Sequence, residues 1–272
     1  MTITASIVLY HNDINELEEA VSSCLSSPLI NTLYLIDNSA TDELKQLATD
    51  SRIQYIHNPT NIGFGAAHNI AIAKAIQHSH YHLVCNPDVS FDGNIIETLS
   101  QFIEADPTIG VVMPKVLYKN SEVQRLCKLL PSPLNLFGRR FASAFRYFKH
   151  IDQQYELNEY QYDRVLNVPC LSGCFMFIRT QILKQVGSFD TRYFMYLEDV
   201  DLVRRIGQVS RTVCYPFVAI YHSYQKGSYS GKNLMFIHIL SAIKYFNKWG
   251  WFFDREREER NQASLKEIND KR

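Results

Sequence analysis

The stretch Ile3-Thr4-Ala5-Ser6-Ile7-Val8-Leu9-Tyr10-His11-Asn12-Asp13 decides the reading of the fold. Seven largely apolar residues end abruptly in a polar cluster, and a helical pattern, Ile14–Ser26, follows at once. The same unit recurs through residue 113. Apolar runs at Thr32–Ile36, Ile53–Ile56, His82–Cys85 and Gly110–Met113 alternate with helical patterns at Asp42–Thr49, Gly65–His78 and Gly93–Glu104. Thr41 and Asp42 suit the start of the second helix, and Pro107 closes the fourth. Such alternation predicts βαβ units and a parallel sheet. Ligands of these sheets bind beyond the carboxyl ends of the strands. Those ends read Tyr10-His11-Asn12-Asp13, Asp37-Asn38-Ser39-Ala40-Thr41-Asp42, His57-Asn58-Pro59-Thr60-Asn61-Ile62-Gly63-Phe64-Gly65 and Asn86-Pro87-Asp88. Taken singly each is ordinary turn chemistry; four along one sheet edge point to a site.

Composition bounds the rest. The chain has 272 residues, 46% hydrophobic, with 28 Lys+Arg against 28 Asp+Glu and only 11 Gly and 9 Pro, which excludes fibrous, collagen-like and disordered classes. A net charge of zero argues against a surface built for nucleic acid. The zero is a sum, however. Residues 115–149 hold Lys115, Lys119, Arg125, Lys128, Arg139, Arg140, Arg146 and Lys149 against the single acid Glu122. Leucines and aromatics between residues 123 and 149 interleave with these charges. That pattern fits an amphipathic helix on a membrane surface or a core helix with exposed cations. No recognised nucleic-acid motif accompanies it. Asn233–Phe253 reads as a second aromatic helix, and 254–272, with six acids and six bases, as a solvated helix or charged tail.

No run approaches the roughly 18 apolar residues of a membrane-spanning helix. The start, Met1-Thr2-Ile3-Thr4-Ala5-Ser6, lacks the basic, apolar pattern of a signal peptide, so a cytoplasmic protein is expected, with peripheral contact to the inner membrane face as an extension. The six cysteines form no C-x-x-C pair. Cys170 and Cys174 give a weak zinc spacing, and buried thiols are the expectation for all six.

Three common nucleotide or hydrolase signatures are missing from the sequence. Gly63-x-Gly65 continues to His68 rather than Gly or Ala and follows the third strand, unlike a dinucleotide fingerprint, and neither a P-loop nor a G-x-S-x-G elbow occurs. The second half offers instead Cys170-Leu171-Ser172-Gly173-Cys174 before an apolar run, then Glu198-Asp199-Val200-Asp201. Gly173 suits either a close backbone approach to a ligand or a tight bend into a strand. Three carboxylates in four residues among aromatic and aliphatic neighbours exceed what helix capping explains. An acid in a partly apolar crevice has its pKa pushed toward the range of a general base.

In this order, Asp37-Asn38, Asn61-x-Gly63-Phe64-Gly65, Asn86-Pro87-Asp88, Ser172-Gly173 and Glu198-Asp199-x-Asp201 resemble the inverting family 2 glycosyltransferases, in particular their bacterial rhamnosyltransferase-like branch. The resemblance covers roughly residues 1–250. It implies a GT-A fold, an α/β architecture in which a Rossmann-like nucleotide-binding αβα sandwich with a mixed central sheet continues into an acceptor-binding half. Residues 1–253 would form one such domain, divided near residue 113, with 254–272 as a tail.

The resemblance also implies the roles of the site residues. Asp37 would accept from the pyrimidine N3–H of the donor, with Tyr10, His11 and Asn12 around base and ribose and Asn38, Asn61, Gly63, Phe64 and Asn69 completing the donor side. Asn86-Pro87-Asp88 stands where many members have Asp-x-Asp, so Asp88 would bind Mg²⁺ or Mn²⁺ on the diphosphate. His222 would be a further metal ligand and Lys226 a diphosphate contact. Asp199 would be the base that deprotonates the acceptor hydroxyl, with Gly173, Glu198 and Asp201 on the acceptor side. dTDP-rhamnose is the expected donor, a UDP-sugar the next, and a glycan or lipid-linked glycan the acceptor in bacterial surface polysaccharide synthesis. The alternative is an inactive nucleotide-sugar-binding or assembly protein of the same fold.

Overall fold

The computed structural model describes residues 1–138, 146–223 and 232–270. Strands β1 (Ile3–Leu9), β2 (Ile30–Asp37), β3 (Ile53–His57) and β4 (Tyr81–Cys85) alternate with α1 (Ile14–Ser26) and α2 (Phe64–His78). There follow β5 (Val89–Ser90), α3 (Asn94–Ala105), β6 (Ile109–Leu117), α4 (Arg146–Tyr155), β7 (Leu166–Asn167), β8 (Phe175–Arg179), α5 (Thr180–Val186), α6 (Glu198–Ile206), β9 (Arg211–His222), α7 (Lys232–Trp249) and α8 (Arg255–Asn269). The sheet order is β3-β2-β1-β4-β8-β6-β9-β5, with β7 beside β9. The first four strands pair in parallel, β8 enters antiparallel between β4 and β6, and β9 runs parallel to β6.

Every residue of β1 and β4 is buried, as expected of strands covered on both faces. α1 starts at Asp13, whose carboxylate accepts the Asn15 and Glu16 amide protons. The helix expected at Asp42–Thr49 is only a 3-10 turn, Glu43–Leu47. Asp42 makes no side-chain cap there, and Leu47 is the turn's buried residue, too little apolar surface to hold further turns.

The basic segment departs further from expectation. Residues 118–132 contain no helix, whereas Leu134–Gly138 is a π-helical turn and α4 covers Arg146–Tyr155; the cations of the first stretch have partners within the protein. Lys119 pairs with Glu19 and Lys128 with Glu156, while Arg125 donates to the Leu157 and Tyr160 carbonyls. Cys127, Leu129 and Leu130 are core residues. Arg139 and Arg140 lie outside the described residues, as do the side chains of Arg146 and Lys149. The expected tail is helix α8, docked by Arg257, Ser264 and Ile268, all buried, with the Ser264 hydroxyl donating to the Asn167 carbonyl. All six cysteines are buried free thiols. Burial pushes Cys170 and Cys174 up to about 12, and neither belongs to a group of three possible metal ligands among the described residues. No helix among the described residues is long and apolar enough to cross a membrane.

Within the sheet, Thr4, His82, Ser6 and His68 form a buried chain of hydrogen bonds, with links of 2.8, 2.9 and 2.7 Å. Burial drives His82 from 6.5 down to about 3 and His68 well below the ordinary imidazole range. Below about pH 6.5 the unfolded chain takes up protons that the folded core refuses. Stability is therefore complete above that pH and declines as pH falls toward 3, by about 1.4 kcal/mol per pH unit for each histidine. In urea titrations at neutral and mildly acid pH, His82→Gln should decline less steeply than wild type by that increment. Equal slopes would contradict the assignment.

Candidate active site

Antiparallel pairing sets Cys85, the end of β4, opposite Phe175, the start of β8, while β1 and β2 end together at Leu9 and Asp37 and β9 brings His222 beside Val89. The polar strand ends therefore share one edge.

At the β1–β3 ends, Tyr10 and His11 are exposed, their rings edge to face at 4.5 Å. Asn12 accepts the Tyr10 amide proton at 2.7 Å, and the His11 amide donates to the Ser39 hydroxyl oxygen. Asp37 is 0% exposed. Its carboxylate accepts from the Ser39 amide at 2.8 Å and from the Tyr55 hydroxyl at 2.5 Å. The contact expected between Asp37 and a base is thus closed in this structure, and Asp37 shapes the loop from beneath. Asn38 is linked to Asn58 and Asn61, and Asn61 accepts the Gly63 amide proton.

Gly63 lies at φ +87, and a Cβ there would meet the Phe194 carbonyl oxygen at 2.2 Å; Phe64 donates its amide proton to that same oxygen. Asn69 is not a donor-loop residue. Its amide donates to the Phe189 carbonyl and accepts the Phe189 amide proton, so both polar groups tie α2 to the segment before α6.

Past β4, Asp88 Oδ1 lies 3.2 Å from His222 Nε2, and the Asn86 amide nitrogen is 3.5 Å from the same atom. Gln124 fixes the ring. Its Nε2 donates to the His222 backbone carbonyl at 2.7 Å, so its Oε1 must be the atom 3.0 Å from His222 Nδ1, and Nδ1 must carry the proton. A neutral ring then turns the Nε2 lone pair toward a carboxylate. Two acceptors face each other there, an arrangement favoured by a positive charge on the ring or between the two. No cluster of three His, Cys, Asp or Glu ligands exists among the described residues. One oxygen and one nitrogen ligand of this kind fit a hard cation that completes its shell with diphosphate and water oxygens. Lys226 lies outside the described residues.

The same strand end carries the acid turn. Asn86 donates its amide proton to the Cys174 carbonyl, and the preceding Gly173 amide donates to Asp199 Oδ2 at 2.9 Å. A Cβ on Gly173 would lie 3.1 Å from the Asp199 Cβ and 3.4 Å from the Phe64 ring, so close approach joins three loops here. α6 begins after Tyr196 and Leu197, both left-handed at φ 70 and 66, conformations that cost on the order of 1–3 kcal/mol each for such side chains. That entry presents Glu198 and Asp199 in the first helical turn.

Asp199 is partly exposed. Burial raises its pKa, against the opposing pull of the Gly173 and Val200 amides and of Lys128. Glu198 is buried, with Oε2 lacking a hydrogen-bond partner among the described residues, and burial followed by the Asp199 charge lifts it well above the carboxylate range. Asp201 corrects the expectation of acceptor contact. It is 0% exposed and held by Trp249 Nε1 at 2.8 Å, Lys248 at 2.6 Å and Arg205 at 2.9 Å.

Sequence reasoning missed Gln124, Tyr55 and the Phe194 carbonyl, and Gln124 stands 98 residues from the histidine it orients. If the Gly173–Asp199 approach positions the acid, Gly173→Ala should lower kcat about tenfold or more with donor Kd unchanged. Unaltered kcat by steady-state assay would disprove that role.

A family model described as Glycosyl transferase family 2 matches residues 6–187. The chain is 28% identical over 198 residues to the N-acetylglucosaminyl-diphospho-decaprenol L-rhamnosyltransferase of Mycobacterium tuberculosis, a match covering 65% of this chain and 61% of that protein. It is 22% identical over 177 residues to the low-salt glycan biosynthesis hexosyltransferase Agl10 of Haloferax volcanii, covering 63% and 52%. The chain thus aligns with less than two thirds of the length of either relative. Among solved structures, S. aureus TarS 1-349 with UDP-GlcNAc superposes at TM-score 0.61 and 16% identity, over 98% of this chain and 71% of TarS 1-349. The mannosyltransferase PcManGT of Pyrobaculum calidifontis, with GDP-Man and Mn²⁺, superposes at 0.58 and 15%, over 89% and 64%.

Proposed function

The chain belongs to glycosyl transferase family 2 and has the GT-A fold of a glycosyltransferase, and from that premise we propose that it transfers a sugar with inversion from a nucleotide diphosphate to an acceptor hydroxyl. The observation that carries this reading is Asp199. It is a partly exposed carboxylate of raised pKa, held through Gly173 one residue from the Cys174 carbonyl that anchors Asn86.

In the reaction, Asp199 takes the proton of the acceptor hydroxyl. The oxygen attacks the anomeric carbon from the face opposite the diphosphate, a new C–O bond forms, and the old bond's electron pair leaves with the diphosphate. Gly173 and Val200 amides orient the Asp199 oxygens. Because the base must be ionised, the rate falls as pH drops through its raised pKa, at higher pH than for an ordinary aspartate. Glu198, next to Asp199 and buried with Oε2 unpartnered among the described residues, we assign to the acceptor side of the site.

Asp88 and His222 would hold a divalent cation, with Gln124, as acceptor of the Nδ1 proton, turning Nε2 toward it. When bound, such an ion neutralises the negative charge on the departing diphosphate. The Mn²⁺ in the PcManGT structure supports that assignment. For the donor we propose dTDP-rhamnose and for the acceptor a lipid-linked glycan, on the strength of the mycobacterial relative.

Transfer or slow hydrolysis should be measured with dTDP-rhamnose, UDP-GlcNAc and GDP-mannose in parallel. Asp199→Asn should reduce the rate about 10²- to 10⁴-fold while nucleotide binding by calorimetry persists. Full transfer by this variant would refute the base assignment. Gln124→Leu should raise the Kd for Mn²⁺, followed by the electron paramagnetic resonance of the free ion, about 10- to 100-fold. An unchanged Kd in a folded variant would remove Gln124 from the metal site.

A further inference from the structure

α7 bears no Asp or Glu along Lys232–Trp249. Its inward face carries Ser241, Ala242, Tyr245 and Phe246, all buried, whereas Phe236, Leu240, Lys244 and Asn247 recur on the outward face at helical spacing. Phe236 is 61% exposed, and beyond the helix Phe252 and Phe253 are 75% and 97% exposed. Two adjacent phenyl rings stand almost wholly in water at the tip of one turn, a configuration that favours leaving water.

The polar groups beside this apolar ridge are cationic. A cavity of about 330 Å³ is lined by Arg192, Lys244, Asn247 and Lys248. Trp251 Nε1 donates to Asn247 Oδ1 at 2.8 Å, which joins the cavity to the Trp251–Phe253 turn. Asp190 pairs with Arg192 and Lys248, and Asp201 pairs with Lys248 and Arg205, so the three cavity cations Arg192, Lys244 and Lys248 face two carboxylates, one of them shared with Arg205. Lys244 donates to the Arg192 carbonyl rather than to a carboxylate.

We propose that the outward face of α7, together with the Trp251–Phe253 turn and the Arg192–Lys244–Lys248 cavity, docks on an anionic phospholipid bilayer. The phenyl rings enter the headgroup–acyl boundary, and the cavity takes a lipid phosphate. Aromatic wedges set beside an excess of positive charge match that surface chemically. No spanning segment is involved. The docking face is α7 and its following turn rather than residues 118–132, which expose no large aromatic ring. The proposal stands apart from the reading of the reaction, because none of these residues belongs to the Asp199 or Asp88–His222 machinery.

The test is flotation of the full chain with vesicles of phosphatidylcholine alone and with added phosphatidylglycerol, at low and high salt. Wild type should float with the anionic vesicles at low salt and less at high salt. Phe252→Ser with Phe253→Ser should lower partitioning at least about tenfold, and Lys244→Glu should weaken it selectively for anionic vesicles. Donor hydrolysis at the wild-type rate in both variants would assign the loss to docking alone. Wild type that stays unbound at low salt would overturn the proposal, as would equal flotation of the phenylalanine variant. A soluble dimer in sedimentation, broken by the same substitutions and binding no vesicles, would assign the face to a second copy instead.

Discussion

Arg204 sits 1% exposed on α6, and its guanidinium is bound on every side. It donates to both Asp254 oxygens at 2.8 and 2.6 Å, to Glu256 at 3.1 Å and to the Tyr245 hydroxyl, and it lies 4.2 Å over the Trp249 ring. One cation therefore ties α6 to the end of α7 and the start of α8. A buried pair of this kind adds little net stability over an apolar substitute, yet losing one partner strands a buried charge. Its value lies in position. α6 cannot rotate without breaking the cluster, and the first turn of α6 carries Glu198 and Asp199.

Asp201, nearly one turn earlier on the same face of α6, repeats the device. Lys248, Arg205 and Trp249 neutralise it fully, which leaves Asp199 as the partly exposed carboxylate of the turn. The three acids that look alike in sequence thus have three fates. One is consumed in structure, one is buried and raised far above its ordinary pKa, and one is oriented by two backbone amides. The chain's zero net charge conceals this sorting, because internal pairs such as Arg204 with Asp254 and Arg205 with Asp201 cancel where they stand.

Much of the first 113 residues was legible because hydrophobic periodicity is local. β1 and α1 have the predicted limits Ile3–Leu9 and Ile14–Ser26, and the polar strand ends meet at one edge. The expected helix after Asp42 shrank to one turn because capping residues alone cannot hold a helix that buries little. Asn69 looked like a loop ligand because the sequence does not say which way an amide on α2 points. It points to Phe189, 120 residues away. The antiparallel β8 between β4 and β6 was likewise hidden, since Phe175–Arg179 reads as a strand without naming its neighbours.

By itself the sequence determined the alternation of strands and helices, the polar strand ends, the acid cluster and the family they resemble, because each is written in residues adjacent along the chain. Only the tertiary structure decided which groups act together. Gln124 orients His222, Gly173 grips Asp199, and Lys248 removes Asp201 from the site. Each of those pairs is separated by tens of residues, so its geometry exists only once the sheet has closed and burial has set which charges keep a partner. The exposed α7 ridge has the same origin. Composition supplied its aromatics and cations, and packing of Tyr245 and Phe246 inward turned the others out.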